Sequence, residues 1–274
     1  VTKTARSVLL FICAAQVFFA IAFFMRLPFA VSLWPFPGTT PLTFIFISSI
    51  FAAAAASTLW AVASENYGAL AGIGLDYLGI LLPVSVLSFQ LGARTGNLQM
   101  TVYGVVCVLG ALFGAALLLW SVRIPLDASR PMPTVVRWSF IFFIVALLIV
   151  STRLVMKVPG AIPWAITPEL SVVIGAMFFG AALYFAYGLL RPSWANAAGQ
   201  LVGFLAYDAV LIGPFLSRLP TVPPQHRAGL IIYTAVVASS GLIAIYYLFV
   251  HRPTRLWGAM PRPLETVERA NARP

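Results

Sequence analysis

Eight apolar runs, each long enough to cross a bilayer, decide what this chain can fold into. They cover residues 8–25, 42–62, 68–89, 101–122, 138–155, 170–190, 197–216 and 228–250. A hydrocarbon core is spanned by ~20 apolar residues of helix. Backbone polar groups find no water there, so only helices and closed barrels cross it. The runs are continuous rather than alternating, which excludes a barrel of strands. The expected class is all-α: a polytopic transmembrane bundle of eight helices. Charged residues make up only 9% of the chain, against roughly 25% in soluble domains. The surplus apolar surface can be buried only in lipid.

A stretch at the first outer loop recurs about half a chain later. Residues 25–42 read MRLPFAVSLWPFPGTTPL, and residues 156–170 read MKVPGAIPWAITPEL. Each opens with Met, a cation and Pro: Met25, Arg26 and Pro28, then Met156, Lys157 and Pro159. Each carries a tryptophan, Trp34 or Trp164, and closes on Thr40-Pro41 or Thr167-Pro168. The copies lie 131 residues apart at the methionine, 130 at the tryptophan and 128 at the closing leucine. The likeness runs on into Phe51-Ala52-Ala53-Ala54 against Phe179-Gly180-Ala181-Ala182. Proline forbids continuation of the helix that ends at the cation. The tryptophan is expected where hydrocarbon meets water. Thr as N-cap with Pro in the first turn starts the next helix. The expected architecture is a tandem repeat of two four-helix units. An even number of crossings gives the units one orientation, so any pseudo-symmetry axis runs along the membrane normal, as in parallel-repeat transporters.

Domain organisation follows from that unit. Residues 1–122 form the first repeat, 123–137 a linker, 138–250 the second repeat and 251–274 a basic, Pro-rich tail. The linker, RIPLDASRPMPTVVR, is expected along the cytoplasmic headgroups. Lys3 and Arg6 before the first run resemble the start of a signal peptide. No A-x-A-like cleavage site follows Met25, and the repeat pairs this run with an internal one, so it is expected to remain as a span.

The net charge of +10 does not point to nucleic acid. The basic residues sit at the ends of apolar runs and in the tail, where they act as topology signals. Eleven of the 17 Lys and Arg fall on the side of the termini and six on the other. Both termini are therefore expected in the cytoplasm, with the protein in a bacterial inner (plasma) membrane. The tail, with Arg252, Arg255, Arg262, Arg269 and Arg273, is expected to lie on anionic lipid or to bind a partner.

Two carboxylates fall inside spans. Asp76 and Asp208 occupy corresponding places in the two halves, beside Tyr77 and Tyr207, each followed by a proline, Pro83 or Pro214. They lie ~12 Å and ~16 Å from the cytoplasmic ends of their runs at 1.5 Å rise per residue. An ionisable group at that depth costs at least ~2.5 kcal/mol and by default marks function. Such a group needs a partner, water or a proton. These four residues are the candidate substrate- or proton-binding set. The competing reading is a structural hydrogen bond from each Asp to a neighbouring tyrosine or backbone group. Gly72 and Gly79 flank Asp76 on its face and leave room for a helix, a water or a ligand; Phe204 and Leu211 stand in the equivalent places around Asp208.

Arg26, Arg153 and Lys157 form a second constellation on the outer side, where the N-termini of two spans also point. They could contact an anion or snorkel to lipid headgroups. Glu169 either pairs with Lys157 or favours the start of its own helix. Cys13 and Cys107 lie in apolar runs and are expected to pack as small hydrophobes. His226 and His251 flank opposite ends of the last run and cannot share a metal or haem. HExxH, CxxC, G-x-S-x-G and Walker sequences are absent from the chain, and no cofactor is expected.

Three functional classes fit. One is a small secondary carrier or solute-binding protein with a site between the repeats. The second is a non-catalytic subunit or assembly factor of a larger membrane complex, which fits the scarcity of intramembrane polar groups and the arginine tail. The third is a lipid-modifying enzyme, which has the least support. A polar cavity between the halves reaching both aspartates favours the first; a flat apolar flank favours the second.

Overall fold

The computed structural model describes residues 2–256, all helix and connection with no strand. The helices are α1 (Lys3–Phe24), α2 (Pro28–Leu33), α3 (Pro41–Ala63), α4 (Leu70–Thr95), α5 (Leu98–Ser121), α6 (Thr134–Val155), α7 (Pro168–Leu190), α8 (Trp194–Arg218) and α9 (Pro224–Ile245). A 3-10 turn, Tyr67–Ala69, leads into α4, and a single π turn, Tyr246–Val250, prolongs α9. All but α2 are long and apolar enough to cross a membrane, so the chain is a multi-pass integral membrane protein with eight candidate spans. The tail beyond Leu256, with Arg262, Arg269 and Arg273, lies outside the described residues.

The helices end where local chemistry dictates. Ser193 caps α8 by accepting from the Asn196 N–H, Asn97 caps α5, and Thr167 caps α7 by accepting from the Leu170 N–H. Thr40 occupies the same place before α3 and Pro41, but its hydroxyl makes no cap bond. The capping device is therefore complete in the second loop only.

The ends of α1 and α6 are built alike. Arg26 and Lys157 adopt left-handed backbone, with φ of 52° and 57°. The Leu27 N–H donates to the Ala22 carbonyl and the Arg26 N–H to that of Phe23. Val158 and Lys157 do the same to Arg153 and Leu154. This is the Schellman arrangement, in which glycine is the favoured residue at the left-handed position. A side chain there costs about 1 kcal/mol. Arg26→Gly and Lys157→Gly are each expected to stabilise the bundle by roughly that amount, read as a Tm a few degrees higher in detergent. A lower Tm in both would show that the cations contribute more than the strain removes.

Helix packing has a simple order. α3 packs on α8 and α4 on α7, and these four form the centre. α1 flanks α3, α5 flanks α4, α6 flanks α7 and α9 flanks α8. Burial follows the same division: 44% to 61% of the apolar window is buried in the central four helices, and 22% to 28% in the flanking four. Within the centre, α3 touches α4 and α7 touches α8 at only a few points. Two gaps are left, one facing α1 and α5, the other facing α6 and α9.

Glycine sets the closest approaches. A Cβ on Gly79 of α4 would stand 2.8 Å from the Cα of Gly180 on α7. A Cβ on Gly74 would meet the Gly114 carbonyl of α5 at 2.6 Å. The space that Gly72 and Gly79 open beside Asp76 is therefore taken by α7, with Tyr184 and Tyr187 over Gly72. Close backbone approach is how helices gain dispersion contacts in lipid, where burial itself drives no association.

The tryptophans of the two similar loops pack inside the protein rather than on its surface. Trp34 is only 8% exposed and Trp164 only 4%. Trp34 packs edge-on against Phe23, Phe36 and Tyr103; Trp164 lies against Phe46 and Phe215 and parallel to Tyr233. Aromatic clusters on both sides bury the two indoles. The loops also meet each other: Thr39 donates its hydroxyl to the Ala165 carbonyl. At the opposite face the linker after α5 is pinned to the α7–α8 turn. Met132 donates to the Pro192 carbonyl and Trp194 to that of Arg130, at 3.1 and 2.8 Å.

Candidate functional site

The gap between α7 and α8 opens into a chamber of about 480 Å³. Its walls come from α3, α4, α6, α7, α8 and α9, and residues 160–163 cover one end. Asp76 and Asp208 both line it, together with Tyr207. A second chamber of about 390 Å³ occupies the other gap, between α1, α3, α4, α5 and α7. Tyr77 lines this one, and Asp76 lines both. Ile50, Ala54, Ile80 and Met177 also border both, so Asp76 stands at the partition in the middle of the bundle.

Asp208 is 4% exposed. It lies 14 residues into α8, or ~21 Å along the axis. That is deeper than the apolar run suggests, because the Ser193 cap starts α8 ahead of the run. Its Oδ2 accepts from Ser240 Oγ of α9 at 2.8 Å. The same hydroxyl lies 3.0 Å from the Val237 carbonyl. A hydroxyl has one proton to give, so this support is shared. Oδ1 is buried and has no partner among the described residues.

Asp76 is half-buried, and its carboxylate accepts no hydrogen bond from the described residues. A Cβ on Gly180 would stand 2.6 Å from both Asp76 Oδ1 and the Asp76 carbonyl. The glycine thus makes the space in which this carboxylate sits. The neighbouring tyrosines are occupied elsewhere. Tyr77 accepts from Gln16 Nε2 of α1, and Tyr207 shares a hydrogen bond with Tyr233 of α9. The expected structural bonds from each Asp to its tyrosine are therefore not the ones formed.

Sequence reasoning missed several groups in these walls. Gln200 of α8 lines the larger chamber; its Nε2 donates to the Tyr184 carbonyl at 2.7 Å, while its Oε1 is buried without a partner. Ser57 of α3, also in the wall, donates to the Gly199 carbonyl at 3.0 Å and ties the halves together. Ser240 and Tyr233 come from the last span. The signal for them was polar rather than ionisable: Gln16 and Gln200 interrupt apolar runs much as the aspartates do. An amide inside hydrocarbon needs partners for the same reason a carboxylate does.

The cations near the ends of α1 and α6 divide. Arg153 is exposed and lines the larger chamber near its covered end. Arg26 and Lys157 are exposed at the ends of α1 and α6 and line neither chamber. Glu169 stands in the first turn of α7, where the helix dipole favours it. Cys13 and Cys107 are buried and free. His226 and His251 belong to opposite ends of the last span, and His251 bonds Thr254. Among the described residues no three His, Cys, Asp or Glu side chains cluster as metal ligands would.

Chemically, the larger chamber is an apolar room with hydrogen-bond acceptors at its core and a guanidinium by its covered end. Free acceptors in a low-dielectric space bind a donor, a cation or a proton strongly, because water does not compete. No family model, curated protein or solved structure matches the chain.

Proposed function

We propose that this protein is a small secondary carrier, or a solute-binding membrane protein, whose site is the larger chamber. The observation that carries the proposal is a room between the halves that reaches both intramembrane carboxylates, although its walls are mainly apolar rather than polar as expected. An aspartate held only for structure is expected to have both oxygens served by its own fold; among the described residues, Asp208 Oδ1 is buried without a partner and the Asp76 carboxylate accepts no hydrogen bond. The volume falls in the usual range for small-molecule sites, ~300 to 1,000 Å³.

The packing order supports descent from one duplicated unit. Exchanging the first four spans for the last four turns α1 on α3 into α6 on α7, α4 on α5 into α8 on α9, and α3 on α8 into α7 on α4. Every strong pair maps onto another strong pair. The matched left-handed ends at Arg26 and Lys157 fit the same exchange. Two like halves around a central site are the arrangement used for alternating access, by rocking of one half against the other. Asp76, shared by both chambers, is placed to pass a ligand or proton between them.

Purification in mild detergent, followed by mass spectrometry of the small molecules released on denaturation, tests the proposal. A stoichiometric small molecule is expected. A preparation that instead retains stoichiometric protein partners and releases no small molecule favours a subunit of a larger complex.

The proposed placement is the bacterial inner membrane with both termini cytoplasmic, from the eleven to six division of basic residues. Reporter fusions at the two termini are expected to report the same, cytoplasmic side. Opposite sides for the two reporters would remove a span from the count.

A further inference from the structure

Taking the larger chamber as a binding site, as proposed above, we infer that its ligand enters sideways from the bilayer between α6 and α9, and that it is an amphiphile with an apolar body and an amine head. The lateral route follows from the packing. No packed interface joins α6 to α9, although both helices line the chamber. Phe142 of α6 and Ile232 of α9 line it and are also 58% and 65% exposed. A side chain can do both only where the wall opens outward, and here outward is lipid.

Lining residues are exposed at the loop end as well, at Arg153, Gly160 and Gly229, but there the rim is tied down and carries a guanidinium rather than apolar side chains. Residues 160–163 line that end. That loop is held by Trp164, which lies parallel to Tyr233, and by the Thr39 bond to Ala165. It also reaches α9, where a Cβ on Gly229 would meet Pro163 at ordinary contact distance. At the inner end, Gln200 is bonded to the Tyr184 carbonyl and Trp194 is fully buried.

The head follows from the polar groups that remain unserved. Asp208 Oδ1, Gln200 Oε1 and the Asp76 carboxylate are all acceptors. Both Asp208 and Gln200 are more than nine-tenths buried. An ammonium brings three donors and a positive charge to such a set. Phe143, Phe178, Phe185, Phe204 and Tyr233 in the walls add ring faces that attract a cation. A carboxylate or phosphate head would meet acceptors and like charge. Arg153 is exposed by the covered end, where a guanidinium can remain in water.

The test uses the full chain in lipid nanodiscs with three radiolabelled probes: dodecylamine, ethylamine and dodecanoate. Uptake into empty nanodiscs is subtracted. Saturable dodecylamine binding is expected, weaker by tenfold or more in Asp208→Asn. Ala146→Trp and Val236→Trp fill the gap from its two sides and are expected to slow dodecylamine entry about tenfold while ethylamine binds weakly or not at all. Two portal variants are used so that one failure to fold, seen as loss of monodispersity, leaves the other informative. Ethylamine binding that equals dodecylamine and ignores both portal variants would overturn the lateral route and leave the site at the carboxylates standing. Preference for dodecanoate would overturn the amine head. Indifference of all three probes to Asp208→Asn and Asp76→Asn would remove the binding site itself, and the inference with it.

Discussion

Asp208→Asn is expected to leave the bundle folded and to weaken ligand binding, or any coupled transport, about 100-fold. Asparagine keeps the shape and can still accept from Ser240, so the α8–α9 contact survives. The substitution removes the charge while leaving an amide that can accept one hydrogen bond. Losing one partner of a buried, hydrogen-bonded charge pair costs ~2–5 kcal/mol, and 1.4 kcal/mol is tenfold. Ser240→Ala removes a bond that the serine already shares with Val237, so a smaller loss, within tenfold, is expected. Equilibrium binding to purified protein, with thermal unfolding alongside, separates the two effects. A stable, fully active Asp208→Leu protein would return Asp208 to a structural role and remove the carboxylates from the mechanism.

Gly180→Leu is expected to disrupt the centre of the molecule. The added side chain would meet Ile80 and both the backbone and the carboxylate of Asp76. Helix backbones cannot yield a few tenths of an ångström as a flexible side chain can. Overpacking of this kind costs ~1–3 kcal/mol in soluble cores, and here it also forces α4 from α7, the contact that joins the halves on one side. A Tm lower by ten degrees or more, or failure to assemble, is expected. Gly229→Ala is the control. Its nearest neighbour would be at ordinary contact distance, and alanine improves helix propensity by up to ~1 kcal/mol. Equal behaviour of the two variants would mean that the α4–α7 approach is not close in the working protein.

The aspartates show how sequence and structure divide the labour. Both were legible as functional candidates from depth alone, because a charge in hydrocarbon is costly wherever the helix turns. Their partners were not legible. Ser240 and Gln200 reach the chamber through packing of α8 against α9 and α7, and residue type alone does not say which face meets which helix. The adjacent tyrosines looked like natural partners for the aspartates. Neighbours one residue apart on a helix point about 100° apart, so Tyr77 turns to Gln16 and Tyr207 to Tyr233.

Local pattern was enough to specify the eight long apolar helices, but not the short helix α2 within the first loop. Eight continuous apolar runs in lipid can satisfy their backbones only as helices, and prolines and caps set their ends within a few residues. The likeness of the loops after α1 and α6 was visible for the same local reason, since both use a left-handed residue followed by a proline to end the helix and reverse the chain. Packing in three dimensions set which helices are central, which rings bury Trp34 and Trp164, and that two gaps remain between α3 and α4 and between α7 and α8. In lipid every apolar face is equally content against a neighbour or an acyl chain. The choice of partner rests on shape: glycines that let backbones touch, and aromatic clusters sufficiently bulky to hold helices apart. Such fit belongs to pairs of surfaces distant in sequence, and it appears only when they are brought together.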